Sequence, residues 1–165
     1  MSDKPLPTVA ETQAFFMRAK NAIYASGQEP QSVAFLPGAE IVTFIDDDFY
    51  YVDFQVSGEA DSKNRHQSIG TTYIYHADRL IWFMNYEGWW RVDASGAAAI
   101  EFRGGCGSET YTENGELEYQ NILGSFHLHQ FTMLHGYDVL CKGPQFAVQV
   151  SRHYYHGGTT VTLPE

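Results

Sequence analysis

The chain has 165 residues, 44% of them hydrophobic, which predicts one globular domain with a core that needs no disulfide staples. Twenty acidic residues against 10 Lys plus Arg give a net charge of -10, which repels phosphate backbones and anionic lipid, so neither nucleic acid nor a membrane is an expected partner. Met1-Ser2-Asp3-Lys4-Pro5 lacks a basic stretch followed by an apolar one, and no apolar run is long enough to span a bilayer, so a soluble cytoplasmic protein is expected. With only Cys106 and Cys141, a disulfide framework is excluded and both are read as thiols.

Thr8-Val9-Ala10-Glu11 has capping-box spacing and predicts a helix over about 9–25, stopped at Ser26-Gly27. Phe15, Ala19, Ala22 and Ile23 make its apolar face, while Glu11, Arg18 and Lys20 fall elsewhere. Pro30, Pro37 and Gly38 mark a loop. A hairpin follows, Glu40 to Ile45 and Phe49 to Val56, turning at Asp46-Asp47-Asp48, whose carboxylates are read as solvated rather than as a calcium site. In the second strand Tyr50, Val52, Phe54 and Val56 share one face, and Phe49, Tyr51, Asp53 and Gln55 the other.

Gly58 to Ser68 reads as an exposed polar loop. Thr71 to His76 and Leu80 to Tyr86 form a second hairpin across Ala77-Asp78, with Leu80, Trp82, Met84 and Tyr86 on one face and Ile81, Phe83 and Asn85 on the other. Ala94 to Phe102 is expected to be a short helix ended by Gly104-Gly105-Cys106-Gly107, a cluster without the lysine or the strand-to-helix setting of a phosphate loop; no cofactor is called for. Strands are expected again at Gly124 to Leu134, Tyr137 to Cys141 and Phe146 to Tyr155 after a turn at Lys142-Gly143-Pro144, with Thr159 to Leu163 as an edge strand. The β-rich body, about 40–163, has two similar halves in outline, each a β-meander. The fold expected is α+β: a strongly curved antiparallel sheet or partial β-barrel with the N-terminal helix packed against it. Phe15, Ile23, Val52, Phe54, Ile81 and Phe83 are its expected buried residues.

Five of the seven histidines lie between Ile122 and Gly158, and in Phe126-His127-Leu128-His129 the alternation puts both imidazoles on one side of a strand. Two uses compete. With His135, His153, His156 or Glu118, the pair could hold a metal as in cupin-like barrels. Because His153 and His156 fall on opposite faces of a regular strand, a third ligand is hard to supply, and no tightly bound metal is expected. A metal-free acid/base pocket is the preferred use, with Asp53, Asn85, His127 and His129 as catalytic candidates. Asp53 leads, because a carboxylate held among aromatics is the kind of group that burial turns to proton transfer. Tyr51, Tyr73, Trp82, Tyr86, Phe131, Tyr155 and His156 are the ligand-binding candidates, the aromatic content of 15% suiting both a sheet core and an organic ligand. No Gly-x-Ser-x-Gly elbow is present, and neither cysteine has an activating neighbour, which disfavours covalent catalysis. Glu116 and Glu118 read as solvated.

Several phrases in order, namely Ala19-Lys20-Asn21-Ala22-Ile23-Tyr24-Ala25, Leu36-Pro37-Gly38-Ala39, Tyr51-Val52-Asp53, Leu80 to Gly88, Gly136-Tyr137 and Tyr155-His156-Gly157-Gly158, resemble a bacterial family known as domain of unknown function 5680. That family occurs alone or after XRE-type helix-turn-helix domains, so the resemblance implies a tie to ligand-sensing transcriptional regulators and implies no activity. The expected function is small-molecule binding with non-covalent acid/base chemistry, of isomerase, lyase or cyclase type, on an aromatic or polycyclic compound. A non-catalytic sensor and a cupin-like metal enzyme are the alternatives. A small organic ligand or substrate is the expected partner, with a homodimer left open.

Overall fold

The computed structural model describes residues 4–26, 28–91, 109–113, 117–123, 131–142 and 148–165. Among these described residues one helix, α1 (Val9–Ser26), precedes nine strands: β1 (Gln31–Ser32), β2 (Ala39–Asp46), β3 (Phe49–Ala60), β4 (Arg65–His76), β5 (Arg79–Arg91), β6 (Glu109–Glu113), β7 (Leu117–Leu123), β8 (Met133–Lys142) and β9 (Val148–Thr159). They form a single antiparallel sheet in the order β1-β2-β3-β4-β5-β9-β8-β7-β6, curled but not closed. The first meander thus meets the second through their last strands, β5 and β9.

The capping box sets the start of α1. The Thr8 hydroxyl accepts from the Glu11 N–H at 3.1 Å, and the Glu11 carboxylate accepts from the Thr8 N–H at 2.7 Å. The Glu11 carboxylate also accepts from the Thr8 hydroxyl at 2.9 Å, and the two bonds it accepts, from the Thr8 backbone N–H first and from the hydroxyl second, hold the Glu11 carboxyl below its ordinary value. A carboxyl held low stabilises the fold above its ordinary range and loses that contribution as pH falls through the lowered value. Thr8→Ala is therefore expected to cost about 1 kcal/mol near neutrality, with the difference from wild type shrinking in acid; urea melts at two pH values check it.

Helix α1 lies on one face of the sheet, the inner face. Phe15, Phe16, Ala19 and Ile23 are buried there with Tyr51, Ile74, Trp82, Met84 and Leu163. Phe15 stacks on Phe49 at 4.6 Å, and Phe16 meets Tyr51 at 6.4 Å and Trp82 at 5.1 Å. Burial of each large side chain contributes about 1.5–3 kcal/mol, and this apolar face holds the helix in place. An ion pair pins its exposed side, Arg18 holding Asp46 at 2.7 Å, and Lys4, ahead of the helix, holds Asp48. Two of the three aspartates in the β2–β3 turn therefore answer to protein cations rather than to water alone.

Several expectations need correction. Residues 58–60 continue β3 and 65–68 begin β4, so the expected loop shrinks to a tight connection. Asp61 clasps it, accepting from the Lys63 and Arg65 N–H groups and from the Arg65 guanidinium, which holds its carboxyl down at about 2. No strand forms after Thr159; the tail instead donates from the Thr160 N–H to the Ile81 carbonyl, seats Leu163 in the core, and offers the Pro164 carbonyl to the Val9 N–H. Ile81 is buried, but not on the opposite side from Trp82. Ile74 pairs with Trp82 and Tyr75 with Leu80, so a bulge at Ile81 lets both Ile81 and Trp82 be completely buried. Val52, Phe54 and Phe83, expected in the core, are only half-buried, because they lie on the outer face. The expected helix at 94–102, the glycine cluster at 104–107, residues 124–130 of the expected strand with His127 and His129, and the turn residues Gly143 and Pro144 lie outside the described residues.

Candidate functional site

Directly paired residues of neighbouring strands share a face, so the register assigns each candidate to a side. One inner-face row runs Asp53, Thr72, Met84, Gly157 and Leu134; the next runs Gln55, Gly70, Tyr86, Tyr155 and Gly136. Helix α1 covers the first row and adds Lys20 to it.

Asp53 is the hub. Its Oδ1 accepts from the Thr72 hydroxyl at 2.9 Å and from the Tyr86 hydroxyl at 3.1 Å, and its Oδ2 faces the Lys20 ammonium at 3.8 Å. Both charged side chains are removed from solvent, with 6% of Lys20 and 14% of Asp53 exposed. The Lys20 ammonium also stands 5.8 Å from the ring centres of Phe16 and Tyr51, close enough for cation–π attraction. Tyr86 reaches the hub because Gly70 has no side chain. A Cβ on Gly70 would lie 2.4 Å from the Tyr86 hydroxyl oxygen and 2.7 Å from the Phe54 carbonyl oxygen. A glycine opposite an aromatic thus lays the phenol ring down over the strand and aims its hydroxyl at Asp53.

The sequence candidates divide between two faces. Asp53, Tyr51, Tyr86 and Tyr155 are on the inner face, with Tyr155 directly beside Tyr86. Asn85 is not beside Asp53: it pairs with Thr71 and His156 on the outer face, where its Oδ1 accepts from the Thr71 hydroxyl at 2.8 Å and its amide meets His156 Nε2 at 3.3 Å. Tyr73 and His156 belong to that outer face as well, and His156 is exposed. Trp82 and Phe131 meet, stacked at 5.0 Å, but inside the core, the Trp82 indole N–H donating to the Phe131 carbonyl at 2.8 Å. Tyr51 is completely buried under α1, so all three rings are part of the packed core.

Lys20 was legible in the sequence, yet the helix reading set it aside. It follows Phe16 by four residues and precedes Ile23 by three, which is the spacing of one helix face. Its charge argued against the core; its carboxylate partner across the sheet reverses that argument. Thr72 had no sequence signal beyond strand alternation.

A second inner-face pair stands one row further along. His153 Nδ1 lies 3.2 Å from Asp138 Oδ1, the two residues being register partners on β9 and β8. Among the described residues no three of His, Cys, Asp and Glu are grouped to hold a metal ion. No described helix is long and apolar enough to cross a membrane. Comparison with protein families, with curated proteins and with solved structures finds no match to this chain.

Proposed function

We propose that this chain is a small-molecule-binding domain that performs non-covalent acid/base chemistry on the inner face of its sheet, next to Tyr86 and Tyr155. The observation that carries this reading is the Asp53 hub: a carboxylate and an ammonium drawn out of water onto an aromatic face, and joined by a tyrosine whose row runs on past the helix-covered one. Desolvating two charges is costly, and an apolar pair in their place would stabilise the fold at least as well. Functional use of the pair accounts for its presence better than stability does.

In this reading Tyr86 is the group that meets the ligand. Its hydroxyl donates to Asp53, so a proton that the phenol oxygen takes from a ligand O–H or N–H is matched by the phenol's own proton moving to the carboxylate. Lys20 balances the charge of Asp53 and keeps the carboxylate facing Thr72 and Tyr86.

One observation favours a second reading, a non-catalytic sensor: both Asp53 oxygens already face protein groups, as expected of a carboxylate that positions other residues. This reading keeps the tie to ligand-sensing regulators that the family resemblance implies. A panel of hydroxylated and carbonyl-bearing aromatic compounds separates the two. Under the proposal, compounds that raise the melting temperature are also consumed, and Tyr86→Phe weakens their binding by about tenfold or more through loss of the hydroxyl contact. Stabilisation without turnover, equal in wild type and Tyr86→Phe, would contradict it.

A further inference from the structure

We propose that the outer face of the sheet is the contact surface of a symmetric dimer of this chain, in which Glu87 of each copy pairs with Arg152 of the other. The inference concerns the face opposite α1 and goes beyond the inner-face reading without depending on it. An antiparallel sheet with one face on the core normally turns polar side chains to water on the other. Here the outer face is apolar. Of the eight large hydrophobic side chains that stand exposed among the described residues, five are on it: Ile45, Tyr50, Ile69, Met133 and Tyr154, with Ile45 69% and Ile69 59% in water. They are spread over β2, β3, β4, β8 and β9 rather than gathered at one edge. In the outer rows that run from Tyr50 to Val56 along β3, and across β2, β4, β5, β9 and β8, the only Asp, Glu, Lys or Arg is Glu87. An apolar patch of this breadth marks an interaction surface, and the net charge of -10 turns it away from anionic lipid.

The charges on this face decide what covers it. Glu87 is exposed and makes no hydrogen bond or ion pair among the described residues. Arg152, in the next outer row, is half-buried: its guanidinium stands 5.5 Å from the Tyr137 ring centre and 5.9 Å from that of Tyr154, and its Nη1 donates to the Tyr154 hydroxyl at 3.2 Å. Its Nε is buried without a hydrogen-bond partner, and no carboxylate among the described residues pairs with it. The two tyrosines hold the guanidinium in place and leave its charge unmatched. A partner with a uniformly acidic or uniformly basic face answers only one of these two charges. A second copy answers both.

Symmetry shows how. Glu87 is the register partner of Tyr154, and Arg152 that of Trp89, so Glu87 and Arg152 are diagonal neighbours on adjacent strands, with backbones about 7–8 Å apart. A two-fold axis lying in the contact plane, crossing the line between them at its midpoint and at a right angle, sets Glu87 of each copy over Arg152 of the other. Since β5 and β9 stand in the middle of the strand order, this axis passes through the middle of the sheet, with Ile69 and Tyr154 directly flanking Glu87. The size also suffices. Strands β2 to β5 with β9 and β8, taken over the eight residues of β2, cover roughly 600 Å² before side-chain relief is counted, near the ~800 Å² per partner of a stable interface.

Sedimentation velocity of the full chain, from micromolar to submillimolar concentration, tests the proposal, with circular dichroism melts to check that each variant is folded. Wild type is expected to sediment at twice the chain mass. Ile69→Lys sets an ammonium into the contact and gives Glu87 a partner within its own chain, so it should yield a folded monomer. Glu87→Arg and Arg152→Glu should each weaken dimerisation by about tenfold or more, because each sets like charges opposite one another across the axis. An equal mixture of those two variants should recover a dimer, since every contact across the axis again joins opposite charges. That recovery cannot arise from a change within either chain. Wild type that stays monomeric throughout the range would overturn the proposal. So would a dimer unmoved by Ile69→Lys and by both charge exchanges, or a pair of exchanged variants that fail to associate when mixed.

Discussion

Replacing Lys20 by methionine should destabilise the fold by about 3–5 kcal/mol, because it leaves the Asp53 carboxylate buried without its counter-charge. Asp53→Leu alone should cost a similar amount, stranding an ammonium between Phe16 and Tyr51. The double replacement should recover most of the loss, since removing both charges ends the desolvation penalty along with the attraction. Urea melts of the four proteins make the cycle. Single losses below about 1 kcal/mol that simply add would show the two groups to be independent and the hub to be a coincidence of placement.

Gly70→Ala is the second change with a large expected effect. Its new methyl group meets both the Tyr86 ring and the Phe54 carbonyl oxygen, and the second of these is backbone that cannot swing away. Overpacking of this kind costs about 1–3 kcal/mol. Because the Tyr86 hydroxyl is then pushed off Asp53, Tyr86→Phe should cost almost nothing further in the Gly70→Ala background, though it is costly in wild type. A Gly70→Ala protein as stable as wild type, with Tyr86→Phe equally damaging in both backgrounds, would disprove the link from glycine to phenol to carboxylate.

Much of the scaffold could be read from local chemistry. The capping box fixed the start of α1 to the residue, and alternation in β3 put Tyr51 and Asp53 together on the face that the helix covers. Both meet the same physical condition, that the signal and the structure it encodes lie within a few residues of each other. Failures came where that condition breaks. The bulge at Ile81 depends on how β4 and β5 align, so simple alternation divided Ile81 from Trp82 when both are buried. The Asp61 clasp depends on Arg65 folding back, and the polarity of 58–68 read as a loop although most of it is strand.

The candidate site was legible on one strand at a time. Asp53 could be singled out by its aromatic neighbours, but its partners Lys20, Thr72 and Tyr86 come from three other elements and no spacing connects them. Asn85 illustrates the reverse: it looked equally polar among aromatics, yet it sits one residue out of phase with Tyr86 and so falls on the outer face with Thr71 and His156. The His153–Asp138 pair likewise needed the β8–β9 register to be seen.

The central claim is that ligand meets this protein on the inner face of the sheet. The measurement that addresses it most directly is amide chemical-shift mapping of ¹⁵N-labelled wild type during titration with a compound that raises its melting temperature. Shifts that saturate together at Ser68, Gly70, Tyr86, Gly88, His153 and Tyr155 are the predicted result. Shifts confined to Thr71, Tyr73, Asn85 and His156 would place the ligand on the outer face and contradict the account.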